Sequence, residues 1–148
     1  MTVALRRCRG PELDAATLYE LLRLRVDVFV VEQSCPYPEL DGRDLLPGTR
    51  HLWLQSAAGD VVSTLRLMAE PDDGFRIGRV CTRSDERGRG HTTVLMRAAL
   101  DEVGSRPCRL DAQTYLARMY ARHGFTPDGA EFVEDGIPHV PMLRTGSA

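Results

Sequence analysis

The stretch from Asp85 to Thr93, the glycine loop, has the residue types and spacing of an anion-binding loop. Its two glycines, Gly88 and Gly90, stand between an apolar segment typical of a strand and a segment typical of a helix. A glycine-rich turn that leads into a helix leaves several backbone N–H groups without partners and directed at one point. The sequence therefore predicts a site for a phosphate or a pyrophosphate at this loop.

Two common phosphate-binding motifs do not fit the glycine loop. A P-loop ends in Gly-Lys-Ser/Thr with the lysine on the terminal phosphates, and this chain contains no lysine. A dinucleotide-binding fingerprint needs a third glycine after Gly88 and Gly90, where the chain continues with His91, Thr92 and Thr93. We therefore predict neither an NTPase loop nor a dinucleotide loop.

The pattern that remains is Arg-x-x-Gly-x-(small residue), formed by Arg87, Gly90 and Thr92. The pattern is short. For these residues alone, a plain turn with Arg87 and Arg89 as solvated surface arginines is an equal alternative. The rest of the chain has to decide between a binding loop and a turn.

Length and composition indicate one ordinary globular domain. The chain has 148 residues, 43% of them hydrophobic and 27% charged, so it can form its own core without disulfides or metals. The four cysteines are scattered without a C-x-x-C pair or a histidine at metal-ligand spacing, and we expect neither a metal site nor a disulfide framework. The net charge of −2 does not favour nucleic acid as a partner.

Hydropathy gives an expectation about location. No apolar run approaches the ~20 residues of a membrane span, and the first ten residues resemble a basic strand rather than a signal peptide. We therefore expect a cytoplasmic protein without a membrane partner.

Periodicity and turn residues predict a mixed order of strands and helices. The predicted strands are 3–9, 51–57, 61–69, 75–82, 109–112, 126–134 and 138–144. The predicted helices are 15–30, 93–103 and 114–123, and a long loop rich in proline and glycine covers 32–50. This order implies an α+β fold with a central, mixed and mostly antiparallel sheet that is flanked by helices.

Two details of these elements can be tested against a structure. The first helix should begin after the N-cap Asp14, and its apolar face should consist of Leu18, Leu22, Val26 and Phe29. The last strand contains Pro138 and Pro141, which cannot donate hydrogen bonds to a ladder. We therefore expect that strand to lie at an edge of the sheet or to be bulged.

Three further segments share a family pattern with the glycine loop. Residues 113–125 combine a polar amide, a short helix, a tyrosine and a terminal Gly-Phe. The other segments are 24–33 together with 36–44, and 134–139. Together with the element order they resemble the GNAT (Gcn5-related) N-acetyltransferases, and the last two segments resemble the ElaA-like branch. The resemblance covers nearly the whole chain. It implies a single N-acetyltransferase domain, residues 1–148, with the GNAT-type acyl-CoA N-acyltransferase fold.

The resemblance implies acetyl-CoA as the cofactor. Its pyrophosphate would be held by backbone N–H groups of Arg87, Gly88, Arg89, Gly90, His91, Thr92 and Thr93. Its pantetheine arm would pair with the backbone of Val80, Cys81 and Thr82, while the Cys81 thiol itself would be a small buried group. Gln113 would contact the cofactor through its amide. Thr92 departs from the glycine or alanine usual in the family, and we expect its hydroxyl to donate to the phosphate.

Tyr120 is the predicted general acid. A phenol with an ordinary pKa of about 10 stays protonated at neutral pH and can give a proton to a departing thiolate. The alternative is a core tyrosine, because Tyr120 shares a helical face with Leu116 and Met119. Its place before the Gly-Phe of the family pattern favours the catalytic role.

An acidic lining is predicted where the acceptor amine would enter. The candidate residues are Glu32, Glu39, Asp41, Asp44 and His139. Carboxylates would attract a cationic amine and pass its proton to water. The alternative is a solvated loop in which Arg43 or Arg50 pairs with these acids.

The favoured function is transfer of an acetyl group from acetyl-CoA to a primary amine of a small molecule or a peptide, by direct attack in a ternary complex. One alternative is an acyl-homoserine-lactone synthase, because residues 24–29 also resemble the start of that related fold. Another is a CoA-binding sensor without turnover. The sequence is compatible with a homodimer.

Overall fold

An eight-stranded sheet forms the centre of the computed structural model, which describes residues 2–146. Its strands are β1 (Val3–Arg9), β2 (Thr49–Ser56), β3 (Val61–Ala69), β4 (Phe75–Thr82), β5 (Cys108–Gln113), β6 (Thr126–Pro127), β7 (Phe132–Glu134) and β8 (Ile137–Arg144). The helices are α1 (Ala15–Arg25), a π-helix that continues it (Val26–Glu32), α2 (His91–Val103) and α3 (Ala117–Ala121). The predicted α+β class is confirmed; residues 1, 147 and 148 of the predicted domain lie outside the described part.

Helices α1 and α2 pack on opposite faces of the sheet. Successive side chains of a strand point to opposite faces, and in β2 Leu52 and Leu54 belong to the core beneath α2, whereas Trp53 packs with residues of α1. Asp14 caps α1 as predicted, because its Oδ1 accepts from the Thr17 N–H at 2.7 Å. The loop after the π-helix, residues 33–48, contains no strand and is called the proline loop.

Strands β4 and β5 are parallel but stay together only at their first residues. The sheet order is β1-β2-β3-β4-β5-β8-β6, with β7 paired to β8. Phe75 pairs with Cys108 and Arg76 pairs with Arg109, and no further pair of these strands follows in the described chain. The two strands therefore separate toward their carboxyl ends. The rest of β4 is left with a strand partner on one side only, β3.

A bulge at Arg79 changes the direction of the side chains of β4. The register with β3 shifts between Thr64 and Arg66, and β4 carries one extra residue there. Arg79 has a φ of 52°, in the left-handed region that non-glycine residues seldom adopt. Because of the extra residue, Ile77 lies in the core beneath α2 and Cys81 in the core beneath α1.

The buried face of the first helix differs from the predicted one. Its buried side chains are Leu21, Leu24, Arg25 and Val28. Only partial burial is found for the predicted residues Leu18, Leu22, Val26 and Phe29. The prediction was wrong because it placed only apolar residues inside, whereas the guanidinium of Arg25 is buried between two carboxylates that neutralise it.

Strand β8 is an interior strand, so its predicted edge position was wrong. It pairs with β5 on one side and with β6 and β7 on the other. The N–H and C=O of a strand residue point to the same side, and the carbonyl of Pro141 accepts from the Asp128 N–H at 2.8 Å. The missing N–H of Pro141 therefore faces Asp128, just past the end of the short strand β6, and the ladder with β5 loses no bond.

Candidate active site

The glycine loop presents a row of free backbone donors. Gly88 and Gly90 have φ values of 76° and 80°. Apart from its own chain neighbours, a Cβ added to either would meet no atom of the described residues within 4 Å. Within residues 2–146, none of the backbone N–H groups from Arg87 to Thr93 donates a hydrogen bond, and the first that does is Val94, to Gly90 O at 3.2 Å. The two left-handed glycines and the start of α2 thus leave an open set of donors that suits an anion.

The Thr92 hydroxyl belongs to a chain of hydroxyl groups inside the protein. Ser63 Oγ donates to Cys81 O at 3.1 Å. Thr82 Oγ1 lies 2.8 Å from Ser63 Oγ and 3.4 Å from Thr92 Oγ1. Because each hydroxyl has one proton, Thr82 donates to Ser63 and Thr92 donates to Thr82. The donor that Thr92 keeps for an anion is then its backbone N–H.

The glycine loop contains a buried carboxylate, Glu86. Glu86 is 2% exposed, with Oε2 at 2.7 Å from Arg89 Nη1 and Oε1 at 3.7 Å from His91 Nε2. Neither Glu86 Oε1 nor His91 Nε2 has a hydrogen-bond partner within residues 2–146. Sequence reasoning missed Glu86, although its spacing of three residues from Arg89 is the spacing of a helical ion pair. The predicted residue Arg89 is therefore held by its side chain against the base of the loop.

Arg87 and Glu32 form a bidentate ion pair at the mouth of the glycine loop. The Arg87 Nη1 and Nη2 atoms lie 2.6 and 2.7 Å from the two carboxylate oxygens of Glu32, and Arg87 Nε donates to Thr82 O at 3.1 Å. The hydrogen bonds from Arg87 lower the pKa of the Glu32 carboxyl. Both side chains are 42% exposed. Glu32, which was predicted to face the acceptor, thus lies against the predicted phosphate site.

The predicted pantetheine residues lie where β4 has left β5. Val80, Cys81 and Thr82 follow the bulge, and this part of β4 pairs only with β3 among the described strands. Their backbone groups on the other side can pair with an added strand-like ligand. Burial raises the pKa of the Cys81 thiol to about 12, so the thiol is neutral and acts as a small core group.

A cleft of about 950 Å³ runs from the glycine loop along β4 and β5 to the β7–β8 turn. Most of the predicted site residues line it. They are Glu32, Asp41, Val80, Cys81, Thr82, Arg87, Gly88, Gly90, His91, Thr92, Thr93, Gln113, Tyr120 and His139. The predicted residues Glu39, Asp44 and Arg89 do not line it.

Tyr120 combines a buried ring with a place on the cleft wall. Its ring packs edge-on against Phe125, with 6.3 Å between the centroids and 77° between the planes. The residue is thus part of the core and also borders the cleft, and its role as general acid stays a prediction. Burial raises the pKa of the Tyr120 phenol above its ordinary value. The phenol stays protonated and its hydroxyl makes no hydrogen bond to another described residue.

Gln113 links the two walls of the cleft. Its amide and that of Gln33, at the start of the proline loop, exchange hydrogen bonds of 3.4 and 3.5 Å. Nearby, Cys35 Sγ donates to Asp135 O at 3.3 Å. The proline loop is thus connected to β5 and to the β7–β8 turn across the cleft.

Three arginines neutralise the acidic residues of the proline loop. This arginine–carboxylate cluster consists of Arg25, Arg66, Arg79, Glu39, Asp41 and Asp44. Arg25 bonds Glu39 at 2.8 Å and Asp44 at 2.6 Å, and its side chain is 1% exposed. With three formal charges of each sign, the cluster has no net charge.

The partners of the acidic residues in the cluster show what most of these residues do in the fold. Sequence reasoning considered Arg43 and Arg50 as partners, but the actual partners come from α1, β3 and β4. Burial favours a protonated Asp44, yet hydrogen bonds and charge from Arg25 outweigh it and lower the pKa of that carboxyl. Glu39 and Asp44 therefore attach the proline loop to the sheet, and Asp41 is the member that also reaches the cleft wall.

Two general findings apply to the described part of the chain. None of the helices within residues 2–146 combines the length and apolar character needed to cross a membrane. In the same residues, no three His, Cys, Asp or Glu side chains come together as ligands for a metal ion.

Known proteins similar to this chain give one consistent result. A family model described as an acetyltransferase (GNAT) domain matches residues 25–145. A UPF0039 protein of Mycobacterium tuberculosis is 65% identical over 150 residues, covering 99% of this chain and 96% of the relative. Protein ElaA of Escherichia coli is 39% identical over 139 residues, covering 90% of each chain.

Two solved structures have nearly the same fold. An acyl-CoA N-acyltransferase from Pseudomonas aeruginosa superimposes with a TM-score of 0.91 at 38% identity, covering 97% of this chain and 100% of the other. Escherichia coli ElaA gives a TM-score of 0.90 at 35% identity, with coverage of 97% and 99%.

Proposed function

Because the chain belongs to the GNAT acetyltransferase family and is ElaA-like, we propose that it transfers an acetyl group from acetyl-CoA to a primary amine of a small molecule or a peptide. The amine would attack directly within a ternary complex. The observation that carries this function is the open row of backbone donors around Gly88 and Gly90, which leads into a cleft beside the unpaired edge of β4.

The residues of the glycine loop fit the pyrophosphate of acetyl-CoA. Seven consecutive backbone N–H groups, from Arg87 to Thr93, have no partner within the described residues, and the positive end of the α2 dipole adds to their attraction for an anion. No described residue occupies the space that a Cβ on Gly88 or Gly90 would take. The Arg87 guanidinium can hold a phosphate with the same fork that holds the Glu32 carboxylate.

The rest of the cleft fits the arm and the thioester of acetyl-CoA. Val80, Cys81 and Thr82 would pair with the pantetheine amides through their free backbone groups, and Gln113 would contribute its amide after exchanging Gln33 for the cofactor. When bound, acetyl-CoA supplies an activated acyl group and a thiolate leaving group. Tyr120 would give its phenolic proton to the departing sulfur, a role that needs a protonated phenol at neutral pH.

Calorimetric titration of acetyl-CoA into the native protein tests the cofactor site. Gly90→Val should abolish detectable binding, because its side chain fills the open space and disfavours the φ of 80°. Gly104→Val is the matched control, since Gly104 also has a positive φ of 63° with nothing within 4 Å, but lies at the end of α2 outside the cleft. Equal binding by both variants would remove the glycine loop from the site.

A screen of primary amines that detects thiol release tests the transfer. Tyr120→Phe should bind acetyl-CoA normally and lose about 10²–10⁴-fold in the chemical step. Full activity in this variant would leave Tyr120 as a core residue. Binding of acetyl-CoA without any acetylated product would favour the sensor, and acyl transfer from a carrier protein without CoA binding would favour the homoserine-lactone type of enzyme.

A further inference from the structure

His139 occupies a fixed position on the wall of the cleft. It lies in β8, opposite Gln113 of β5 and Phe132 of β7, so strands on both sides determine where its backbone lies. Its ring stacks on the Phe132 ring with 5.5 Å between the centroids and 17° between the planes. The same cleft contains Tyr120, the proposed acid.

A backbone carbonyl determines which nitrogen of His139 carries the proton. His139 Nδ1 lies 2.7 Å from Ile137 O. A carbonyl oxygen only accepts hydrogen bonds, so Nδ1 must be the donor. A neutral imidazole has a single N–H, and Nε2 therefore holds a free lone pair. Among the described residues, no group donates a hydrogen bond to this Nε2.

We propose that His139 is the general base that removes a proton from the acceptor, an assignment that rests on the proposed acetyl transfer. Conversion of a protonated primary amine to an amide releases two protons. One passes from the ammonium to His139 Nε2 and then to solvent. The free amine attacks the acyl carbon, the C–N bond forms and the C–S bond breaks. The sulfur takes the Tyr120 proton, and the second N–H proton restores the phenol.

The carboxylates that reach the cleft are weaker candidates for this step. Asp41 is paired with Arg66 at 2.8 Å, and hydrogen bonds and charge from that arginine outweigh burial and lower the pKa of the carboxyl. Glu32 is paired with Arg87, which also lowers its pKa. A lowered pKa makes a poorer base near neutral pH. Glu134 and Asp135 also line the cleft, but both are exposed, at the β7–β8 turn.

The other histidines do not offer a free nitrogen to the acceptor. His51 is 1% exposed, and its Nε2 bonds Asp44 O at 2.9 Å. His91 Nε2 is buried beside Glu86. His123 follows α3 and does not line the cleft.

Nitrogen-15 NMR of the imidazole groups tests the proton position without any acceptor. The neutral form of His139 in the native protein should show a protonated Nδ1 and an unprotonated Nε2, with the signal assigned by its loss in His139→Asn. A protonated Nε2 in neutral His139 would overturn the assignment, because no lone pair would then face the acceptor.

Kinetics with two isosteric acceptors test the base itself. The probes are 2-phenylethylamine, an ammonium ion at neutral pH, and O-benzylhydroxylamine, which is largely uncharged. The asparagine of His139→Asn can still donate to Ile137 O but cannot accept the proton. This variant should bind acetyl-CoA normally, lose about 10²–10⁴-fold in kcat/KM for the alkylamine, and lose much less for the hydroxylamine. His123→Asn is the control and should retain both rates.

The outcomes separate a failure of the base from a failure of the transfer. Equal losses for the two acceptors would make His139 a binding residue, and unchanged rates would exclude it from the reaction; either result overturns the base alone. If the native protein binds acetyl-CoA but acetylates neither of these acceptors nor any other amine of the screen, the proposed transfer fails and the base fails with it.

Discussion

Two sets of arginine–carboxylate pairs lie beside the same cleft, and they differ mainly in burial. Arg25 and its partners Glu39 and Asp44 lie beneath the proline loop with side chains that are at most 10% exposed. Arg87 and Glu32 form an equally short pair, but each side chain is 42% exposed. Contact distances are alike in the two sets. The difference teaches that burial decides whether such a pair holds the fold together or stays exchangeable.

The physical reason is the cost of an unpaired charge. A buried charge that loses its partner remains in a medium of low polarity and cannot be hydrated. An exposed charge that loses its partner is solvated again at little cost. The arginine–carboxylate cluster therefore fixes the proline loop, whereas Arg87 can exchange the Glu32 carboxylate for a phosphate.

The largest expected effect is the loss of Arg25. Arg25→Met should lower the free energy of unfolding by about 3–5 kcal/mol, because Glu39 and Asp44 lose their most deeply buried partner. Urea unfolding followed by circular dichroism measures the change. The matched control is Arg9→Met. The ion pair of Arg9 with Glu12 is exposed, so this substitution should change the free energy of unfolding by less than about 1 kcal/mol. Equal losses in both variants would contradict the importance of burial.

The second effect concerns binding rather than stability. Arg87→Ala should weaken acetyl-CoA binding by about tenfold to a hundredfold, which corresponds to the loss of charged hydrogen bonds to a phosphate. Its free energy of unfolding should change by less than about 1 kcal/mol, since the pair with Glu32 is exposed. Calorimetric titration and urea unfolding measure the two quantities. A large loss of stability with unchanged binding would assign Arg87 to the fold instead.

The same contrast explains which parts of the site could be predicted from sequence. The glycine loop is local: its glycines and the start of α2 are consecutive in the chain, so residue types and spacing were enough to predict a glycine turn that leads into a helix. Its role as a phosphate site stays a prediction. The arginine–carboxylate cluster depends on residues of α1, the proline loop, β3 and β4 that only the folded chain brings together. Without an observed contact, nothing in the residue types paired Arg25 with Glu39.

The fold shows the same division between local and distant information. Strands β3 and β4 have the predicted bounds, because apolar runs and turn residues mark them. The bulge at Arg79, the separation of β4 from β5 and the interior place of β8 depend on how strands pair. The prediction of the buried face of α1 was wrong for a related reason. In the sequence, a buried arginine cannot be told from a surface arginine until its partners are known.

Acid unfolding should show how much the buried pair of Arg25 and Asp44 contributes to stability. The pKa of Asp44 lies below its ordinary value of 3.8 in the folded protein. A depressed carboxyl pKa contributes stability that is complete above the unfolded value and is lost as the pH falls through the folded value. The native protein should therefore lose stability below about pH 4, and Arg25→Met should show a shallower decline there. Urea midpoints between pH 7 and pH 3 measure this, and parallel curves would contradict it.

The smallest expected effect has an unusual direction. Glu32→Gln removes the carboxylate that competes with a phosphate for the Arg87 guanidinium, so acetyl-CoA should bind a few times more tightly, in line with the ~0–1 kcal/mol of an exposed pair. Calorimetric titration at low salt measures the change, and added salt should reduce it by screening. Glu12→Gln is the control, because it also removes one exposed carboxylate. Glu12 precedes α1 in the sequence and does not line the cleft. Weaker binding in Glu32→Gln would mean that the carboxylate positions Arg87 for the phosphate rather than competing with it.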